Sequence, residues 1–256
     1  MMALAHGITW RGGNVKGGAR MAALSAASRL LEELGAEWVS LLGVGAEAVV
    51  VRCRWRGFDA VAKYRVPKPY RDERLDSVLR RRRTVLEAKL LIEAKKLGVP
   101  APTLLYVEPE LHVLLMDFIP GVRLREVITR LDRPEEIFRE LGFYTGLMHE
   151  RGIVHGDLTT SNVMMVGGKA YIIDFGLGAF SNELEEQGVD VHLMLRSLES
   201  THPSLVPSLY AAFMEGYEEA RGEEAKRAVE DKVVEIRRRG RYVAERRLRA
   251  KRGAST

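Results

Sequence analysis

Three polar side chains in the second half of the chain stand at spacings that suit phosphoryl transfer. Ile153-Val154-His155-Gly156-Asp157-Leu158-Thr159-Thr160-Ser161-Asn162 is followed eleven residues later by Ile173-Asp174-Phe175-Gly176. Moving a phosphoryl group requires a carboxylate that orients the attacking hydroxyl, and oxygen ligands for magnesium, which neutralises charge on the β- and γ-phosphates. Asp157 and Asn162 are five residues apart, so a tight loop can set one beside the nucleophile and the other on the metal. Asp174, at the end of a strand before Phe-Gly, offers a second metal ligand. Either tripeptide also occurs as an ordinary turn. Both together, in this order and with a strand pair between them, favour the catalytic reading.

Upstream, Leu42-Gly43-Val44-Gly45-Ala46-Glu47-Ala48 falls between two expected strands, with Val50 just beyond as a further nucleotide-binding position. Gly43 and Gly45 let a backbone approach phosphates closely. Ala48 stands where a third glycine is usual, and a lone G-x-G is more often a plain turn. Its value comes from Lys63, eighteen residues after Gly45 in Ala60-Val61-Ala62-Lys63, a loose form of the V-A-I-K strand that carries a phosphate-contacting lysine. Such a lysine needs a carboxylate to hold it. Glu87 is the best candidate and Glu93 its competitor. Met116 borders an expected adenine pocket, with the Asp117 to Ile119 backbone bonding the base, although a core methionine fits equally well. His155 reads as a structural residue of the catalytic loop, and Asp190 as an anchor accepting backbone hydrogen bonds from it.

The elements that must position these groups follow from hydrophobic period and turn residues. Residues 1–20 are Gly-rich and unpatterned, and a helix is expected over about 21–34. Strands are expected at Trp38–Leu42, Ala48–Trp55, Phe58–Tyr64, Thr103–Val107 and Leu111–Met116, with a long helix at Asp72–Leu97. Phe118-Ile119-Pro120-Gly121 then breaks the pattern as a connection. Beyond it come helices at Leu124–Leu131 and Pro134–Arg151 (Asp132 as cap), strands at Val163–Val166 and Ala170–Ile173, and helices at Val189–Leu198, Val206–Ala220 and Glu223–Arg239. The expected organisation is an N-terminal extension over 1–37, partly disordered, and a β-rich lobe over 38–117. A helical lobe over 118–240 and a mobile basic tail over 241–256 complete it.

Composition sets the boundaries of function. The chain has 256 residues, 40 Lys and Arg against 35 Asp and Glu, and 46% hydrophobic residues. That range excludes wholesale disorder and fibrous repeats. No apolar run approaches the ~20 residues of a spanning helix, and no signal-peptide core is apparent. The single cysteine, Cys53, excludes an intrachain disulfide and suits a reducing cytoplasm as a small buried hydrophobe. The six histidines show no zinc-like spacing. Residues 63–83 carry a net +6 and residues 232–252 a net +8, leaving −9 elsewhere, so polyanion contact is expected at two places. Arg80 to Arg83 fan around a helix, so at least half of them are expected on a solvated face, whereas Arg65 and Arg71 lie nearer the phosphate site and could contact it.

The sequence resembles the small atypical kinase family of the KEOPS complex, distant relatives of the RIO kinases. The resemblance is carried by Gly45-Ala46-Glu47-Ala48, Lys63-Tyr64-Arg65, Tyr70-Arg71, and Leu75 to Arg80. Arg83 to Leu91, His155 to Asn162, Asp174 to Gly178, Ser200-Thr201-His202-Pro203 and Arg237 to Arg241 carry the rest. It covers about Leu41 to Arg247, which leaves Met21 as a possible native start. It implies an α+β class, a reduced bilobal protein-kinase-like fold with a five-stranded antiparallel sheet lobe plus a helical lobe, and ATP with magnesium between them. It further implies serine/threonine kinase and ATPase activity supporting threonylcarbamoyladenosine in tRNA. The implied partners are the threonylcarbamoyl-transferase subunit through the C-terminal lobe and a small regulatory subunit through the N-terminal lobe. Contact with tRNA would be indirect or through the basic tail, and truncation after Lys232 should then weaken salt-dependent tRNA association.

Two departures set the chain apart from signalling kinases. Thr159 replaces the lysine usual two residues after the catalytic aspartate, and losing one such contact to the transferred phosphate costs about 3 kcal/mol, or roughly a hundredfold in rate. No Ala-Pro-Glu segment follows Asp174, so no long activation loop is expected. Rival readings are a small-molecule phosphotransferase of the aminoglycoside or choline kinase type, which also uses His-Gly-Asp, and a nucleotide-binding scaffold without turnover. The first lacks its large acceptor-pocket insertion here; the intact Asp157, Asn162 and Asp174 weigh against the second.

Overall fold

The computed structural model describes residues 17–253. Of the unpatterned stretch expected over residues 1–20, residues 1–16 lie outside them, as do the last residues of the expected tail, 254–256, whereas residues 17–20 are helical. The chain divides into two compact units. The first runs up to Ile92 and includes Pro102–Phe118; the second comprises Glu93–Ala101 and the chain from Ile119 onward.

The first unit is a five-stranded antiparallel sheet with a helix on each face. Its strands are β1 (Ala36–Val44), β2 (Ala48–Trp55), β3 (Phe58–Arg65), β4 (Leu104–Glu108) and β5 (Val113–Asp117), in the spatial order β1-β2-β3-β5-β4. Side chains alternate between faces along a strand, and that alternation divides the core. Val49, Val51, Cys53 and Trp55 of β2 and Ala60 and Ala62 of β3 pack with Ala27, Leu30 and Leu31 of α1 (Gly17–Glu33). The opposite face carries Leu114 and Met116, covered by Ala88 of α2 (Glu73–Lys96) with Val61 against them. Lys63 and Arg65 share the period of Val61 and so face α2. The Asp72 carboxylate accepts the Arg74 and Leu75 N–H groups, each at 3.1 Å, and caps α2.

Several boundaries differ from expectation. The helix expected in the N-terminal extension is not peripheral: α1 supplies core residues to the sheet. β1 continues to Val44, with Gly43 opposite Val50, so Gly43 lies in the strand and only residues 45–47 form the turn. Its two register shifts, at Trp38/Ser40 and Leu41/Gly43, break the clean alternation on which a strand assignment depends.

The second unit is mainly helical. It contains α3 (Leu124–Val127), α4 (Pro134–Glu150), α5 (Leu184–Thr201) and α6 (Val206–Gly253), the last broken at Gly222, where φ is 82° and ψ is 169°. Small strands frame the catalytic loop: β6 (Val122–Arg123), β8 (Val163–Val166) and β9 (Lys169–Ile172) form one sheet, and β7 (Ile153–Val154) pairs with β10 (Ala179–Phe180). Strands of two residues carry no periodicity, which is why β6, β7 and β10 escape sequence reading. α4 and α6 cross closely because both contact points are glycines. A Cβ on Gly142 would stand 1.8 Å from the Phe213 carbonyl, and one on Gly216 would stand 1.8 Å from that of Arg139.

Asp132 does not cap α4. The N-cap is Arg133 without a side-chain bond, and Pro134 removes one of the donors a cap would satisfy. α5 begins at Leu184 rather than Val189, its first turn carrying Glu185 and Glu186. α6 does not end at Arg239: its backbone is helical to Gly253, as the Ala, Glu, Arg and Leu content of that segment favours. No helix among the described residues is long and apolar enough to cross a membrane.

Candidate active site

In the first unit the site is a buried ion cluster beneath the glycine turn. Cross-strand pairing sets Gly43, Val50, Lys63 and Leu114 in one row across the sheet. Lys63 Nζ reaches Glu87 Oε1 of α2 at 2.6 Å, and Glu87 Oε2 accepts from Arg65 Nη2. All three are buried, with Glu87 only 1% exposed. Period-two alternation on β3 put Lys63 and Arg65 on one face, so Arg65 was open to recognition as the second partner of Glu87. Glu93 makes only an exposed pair with Lys96, at 2.8 Å, and is not the lysine's carboxylate.

The turn itself is braced. Gly45 N–H donates to the Ala48 carbonyl at 2.8 Å, and Val66 N–H donates to the Glu47 carbonyl at 3.0 Å. Lys68 caps the Ala46 carbonyl, while the Glu47 carboxylate bonds Arg83 and lies 3.9 Å from Arg65. Burial pushes the Glu47 carboxyl upward, but the hydrogen bond and charge of Arg83, with Arg65 and Lys68, hold it below the usual range. Arg65 and Arg71, expected near the phosphate site, each carry a carboxylate partner. Arg65 is held by Glu87, and Arg71 lies 3.5 Å from Asp76. Of the arginine run, Arg80 pairs with Asp76, Arg83 with Glu47 and Arg81 with the exposed Glu110, and Arg81 and Arg82 are both exposed, so half of the run is solvated.

Ala48 is buried, and Leu42 and Val44 flank Gly43 on β1. Met116 is 8% exposed and packs with Ala88 and Leu114, the core role left open above. The Asp117 N–H donates to the Thr103 carbonyl and the Phe118 N–H to the Asp59 carbonyl, both at 3.0 Å. Those two donors are committed, so within the expected base-binding stretch only carbonyls and the Ile119 backbone remain.

In the second unit the catalytic loop is suspended from Asp190 of α5. Its carboxylate accepts the His155 N–H at 2.5 Å and the Gly156 N–H at 2.7 Å. Gly156 has φ +76°, and a Cβ there would stand 2.2 Å from the Leu177 carbonyl, so this position requires glycine. His155 is fully buried; its Nε2 is 3.1 Å from the Ile173 carbonyl, and its Nδ1 accepts the Asp157 N–H at 3.2 Å. Its ring lies against Phe175, tilted by 51° with the centroids 4.8 Å apart. The backbones carrying Asp157 and Asp174 are thus tied through one imidazole.

Asn162 completes the loop. Its Nδ2 donates to the Asp157 carbonyl at 2.9 Å and to Asp157 Oδ2 at 2.8 Å. An amide that donates through Nδ2 keeps Oδ1 as its acceptor end. Asp174 is exposed, in the left-handed region at φ 65°, with Oδ1 accepting the Gly176 N–H at 3.2 Å. Burial raises the Asp157 carboxyl above its ordinary value, and the charges of Asp174 and Asp190 add to this against the Asn162 hydrogen bond and His155.

The donor set fits magnesium. The Asp174 carboxylate and the Asn162 amide oxygen are hard oxygen ligands, and magnesium is ordinarily held by one or two carboxylates together with substrate phosphates.

Sequence reasoning missed a buried network behind the loop. His149 Nε2 is 3.3 Å from Asp190 Oδ2 and its Nδ1 is 3.0 Å from the Tyr217 hydroxyl, which accepts from Arg221 Nη1 at 3.1 Å. Arg123 Nη1 also donates to the Ser161 carbonyl at 2.8 Å; burial lowers its guanidinium to about 10. The two His149 contacts join residues 41 and 68 positions apart and leave no local spacing to read.

Comparison with known proteins agrees with this geometry. The model of the RIO domain matches residues 50–179. The KEOPS complex subunit Bud32 of Pyrococcus abyssi is 41% identical over 212 residues, covering 80% of this chain and 96% of that protein. A probable bifunctional tRNA threonylcarbamoyladenosine biosynthesis protein of Methanothermobacter thermautotrophicus is 39% identical over 202 residues; the match covers 79% of this chain but only 36% of that longer protein. Among solved structures, the Rio2 kinase of Chaetomium thermophilum in its ADP/Mg2+-phosphoaspartate complex superposes with a TM-score of 0.56 at 16% identity, over 87% of this chain and 77% of that one, a likeness of fold. The chain belongs to the RIO-domain family and, within it, to the Bud32 proteins.

Proposed function

We propose that the chain is an ATP-dependent atypical serine/threonine kinase and ATPase that serves, as a KEOPS subunit in the cytoplasm, the threonylcarbamoyladenosine modification of tRNA. Asp157 orients the attacking hydroxyl or water and receives its proton. Asn162 Oδ1 and Asp174 hold magnesium, which supplies charge neutralisation at the phosphates when bound. Lys63, positioned by Glu87, contacts phosphate oxygens, and the turn from Leu42 to Ala48 with Val50 borders the nucleotide. Met116, Asp117 and Ile119 are assigned to its base.

The observation that carries the reading is the suspension of Asp157. Two amides held by Asp190, an imidazole and the Asn162 amide together fix its backbone and carboxylate. Such preorganisation costs stability, because the carboxyl is pushed up, and it earns its place only if that carboxylate acts. Thr159 in place of a lysine argues for slow turnover and for ATP hydrolysis as a substantial output. The partner assignments are a threonylcarbamoyl-transferase subunit at the C-terminal unit, a small regulatory subunit at the N-terminal unit, and tRNA along the basic 232–252 stretch.

Reconstitution with the threonylcarbamoyl-transferase subunit tests the whole reading. Magnesium-dependent phosphate release and threonylcarbamoyladenosine formation should both depend on the intact chain. A complex that forms but shows no ATP consumption would leave the chain a nucleotide-binding scaffold.

A further inference from the structure

Beside the glycine turn, and apart from Lys63, the first unit holds a second concentration of positive charge. Arg65, Lys68, Arg71, Arg80 and Arg83 line a cavity of about 20 Å³ together with Glu47, and Val66 and Leu79 close its wall. One water requires ~10–15 Å³, so the cavity as it stands admits a single oxygen-sized atom. The five cations face three carboxylates, Glu47 within the cavity, Asp76 behind Arg71 and Arg80, and Glu87 (shared with Lys63) behind Arg65, which leaves an excess of at least two positive charges.

The buried member of this set is incompletely satisfied. Arg65 is 3% exposed; Nη2 is taken by Glu87, and Nε is buried with no hydrogen-bond partner. A buried N–H left in that state calls for an acceptor. Glu47 is the opposite case: its side chain is 39% exposed and sits on a turn, yet it is drawn to Arg83 and toward Arg65. It sits as an internal anion at the exposed rim of a cationic cup.

We propose that this cup is a second phosphate-binding site, which meets the nucleotide turn only at Glu47 and the Ala46 carbonyl, opened when Glu47 swings out and a phosphate takes its place on Arg65, Arg83, Lys68 and Arg71. Several guanidinium groups converging from a strand, a loop and a helix suit a tetrahedral oxyanion better than a planar carboxylate. The narrow cavity and the depth of Arg65 admit a terminal phosphate, as orthophosphate or a phosphomonoester, and exclude a diester carrying a substituent on either side. Because Glu47 belongs to the turn between β1 and β2, occupancy also releases that turn from α2. The proposal does not depend on the ATP reaction.

Calorimetric titration of the full chain with sodium phosphate, against sodium chloride at matched ionic strength, tests it. Saturable one-to-one binding is expected, with Arg71→Gln about tenfold weaker, as loss of one charge-assisted contact implies. Glu47→Gln should bind phosphate more tightly, because the competing carboxylate is gone. That gain cannot come from damage to the fold, so it decides the matter even if Arg71→Gln unfolds. Dimethyl phosphate should not bind, and phosphoserine in place of phosphate separates a phosphomonoester source from the free ion. The proposal is overturned if wild type shows no saturable binding, which would leave the cavity a water site. It is equally overturned if Arg71→Gln and Glu47→Gln both bind like wild type while Lys63→Met does not, or if the diester binds as well as phosphate.

Discussion

Replacing Glu87 by Gln keeps the side chain's size and removes the charge that compensates two buried cations. Lys63 and Glu87 are 9% and 1% exposed at their side chains, and Arg65 is 4% exposed, so solvent cannot rehydrate the ammonium and guanidinium once the carboxylate is lost. Removing one partner of a buried ion pair costs about 3–5 kcal/mol. At ~2–4 °C per kcal/mol for a domain of this size, the melting temperature should fall by roughly 6–20 °C. Urea unfolding followed by tryptophan fluorescence reads the effect where it occurs, because Trp38 and Trp55 both lie in the first unit and Trp55 is buried in its core. The triple replacement Lys63→Met, Arg65→Met, Glu87→Leu should recover most of the stability, since an apolar set of similar volume escapes the desolvation cost. It should not recover ATP binding. A loss below about 1 kcal/mol in Glu87→Gln would mean that the cluster behaves as a solvent-screened surface pair, and the reasoning that makes Glu87 the anchor of Lys63 would fail.

Asp157→Asn should raise the melting temperature at neutral pH. Its folded-state carboxyl titrates above its unfolded value. The stability it contributes is therefore present below the unfolded value, where the group is protonated in both states, and is lost as pH rises through the folded one. The stabilisation by Asn should shrink in acid, and scans at neutral pH and below pH ~4 check this. For the same reason, the acid limb of the activity profile should lie above the ordinary carboxylate range. Gly156→Ala places a Cβ against the Leu177 carbonyl in a left-handed conformation and should cost upwards of about 2 kcal/mol, read by denaturant midpoint. Tyr217→Phe removes the hydroxyl that bonds His149 behind Asp190 and should lower kcat roughly fivefold while leaving the Kd for ATP unchanged.

The fold was legible where local pattern is strong. Alternating Val, Ala and aromatic residues marked β2 and β3, and the leucine period of α2 with Gly98 and Pro100 beyond it marked the long helix. β1 blurred because its two register shifts interrupt alternation, and α5 began early because Leu184 to Gly188 is polar on the outside and buried only at Gln187 and Gly188. At the site, Asp157, Asn162 and Asp174 were legible because phosphoryl transfer demands those types at short separations. The need for a carboxylate on the helix packed against the sheet left Glu87 and Glu93 as candidates, and the ion pair with Lys63 resolved the choice. What stayed hidden was what depends on contacts distant in the chain. Tyr217 and Arg221 meet His149 only because Gly142 and Gly216 bring α4 and α6 together, and Glu47 meets Arg83 only because the turn after β1 folds toward α2.

Single-turnover reaction of the full chain with [γ-32P]ATP and magnesium, compared with Asp157→Asn, bears most directly on the central claim that this carboxylate drives phosphoryl transfer. The amide oxygen can still accept from Asn162, so the loop keeps its shape and only the base is removed. The account predicts that labelled phosphate or phosphoprotein appears with wild type and falls by about a hundredfold or more in the variant at unchanged ATP affinity. A variant that turns over ATP at the wild-type rate would contradict it.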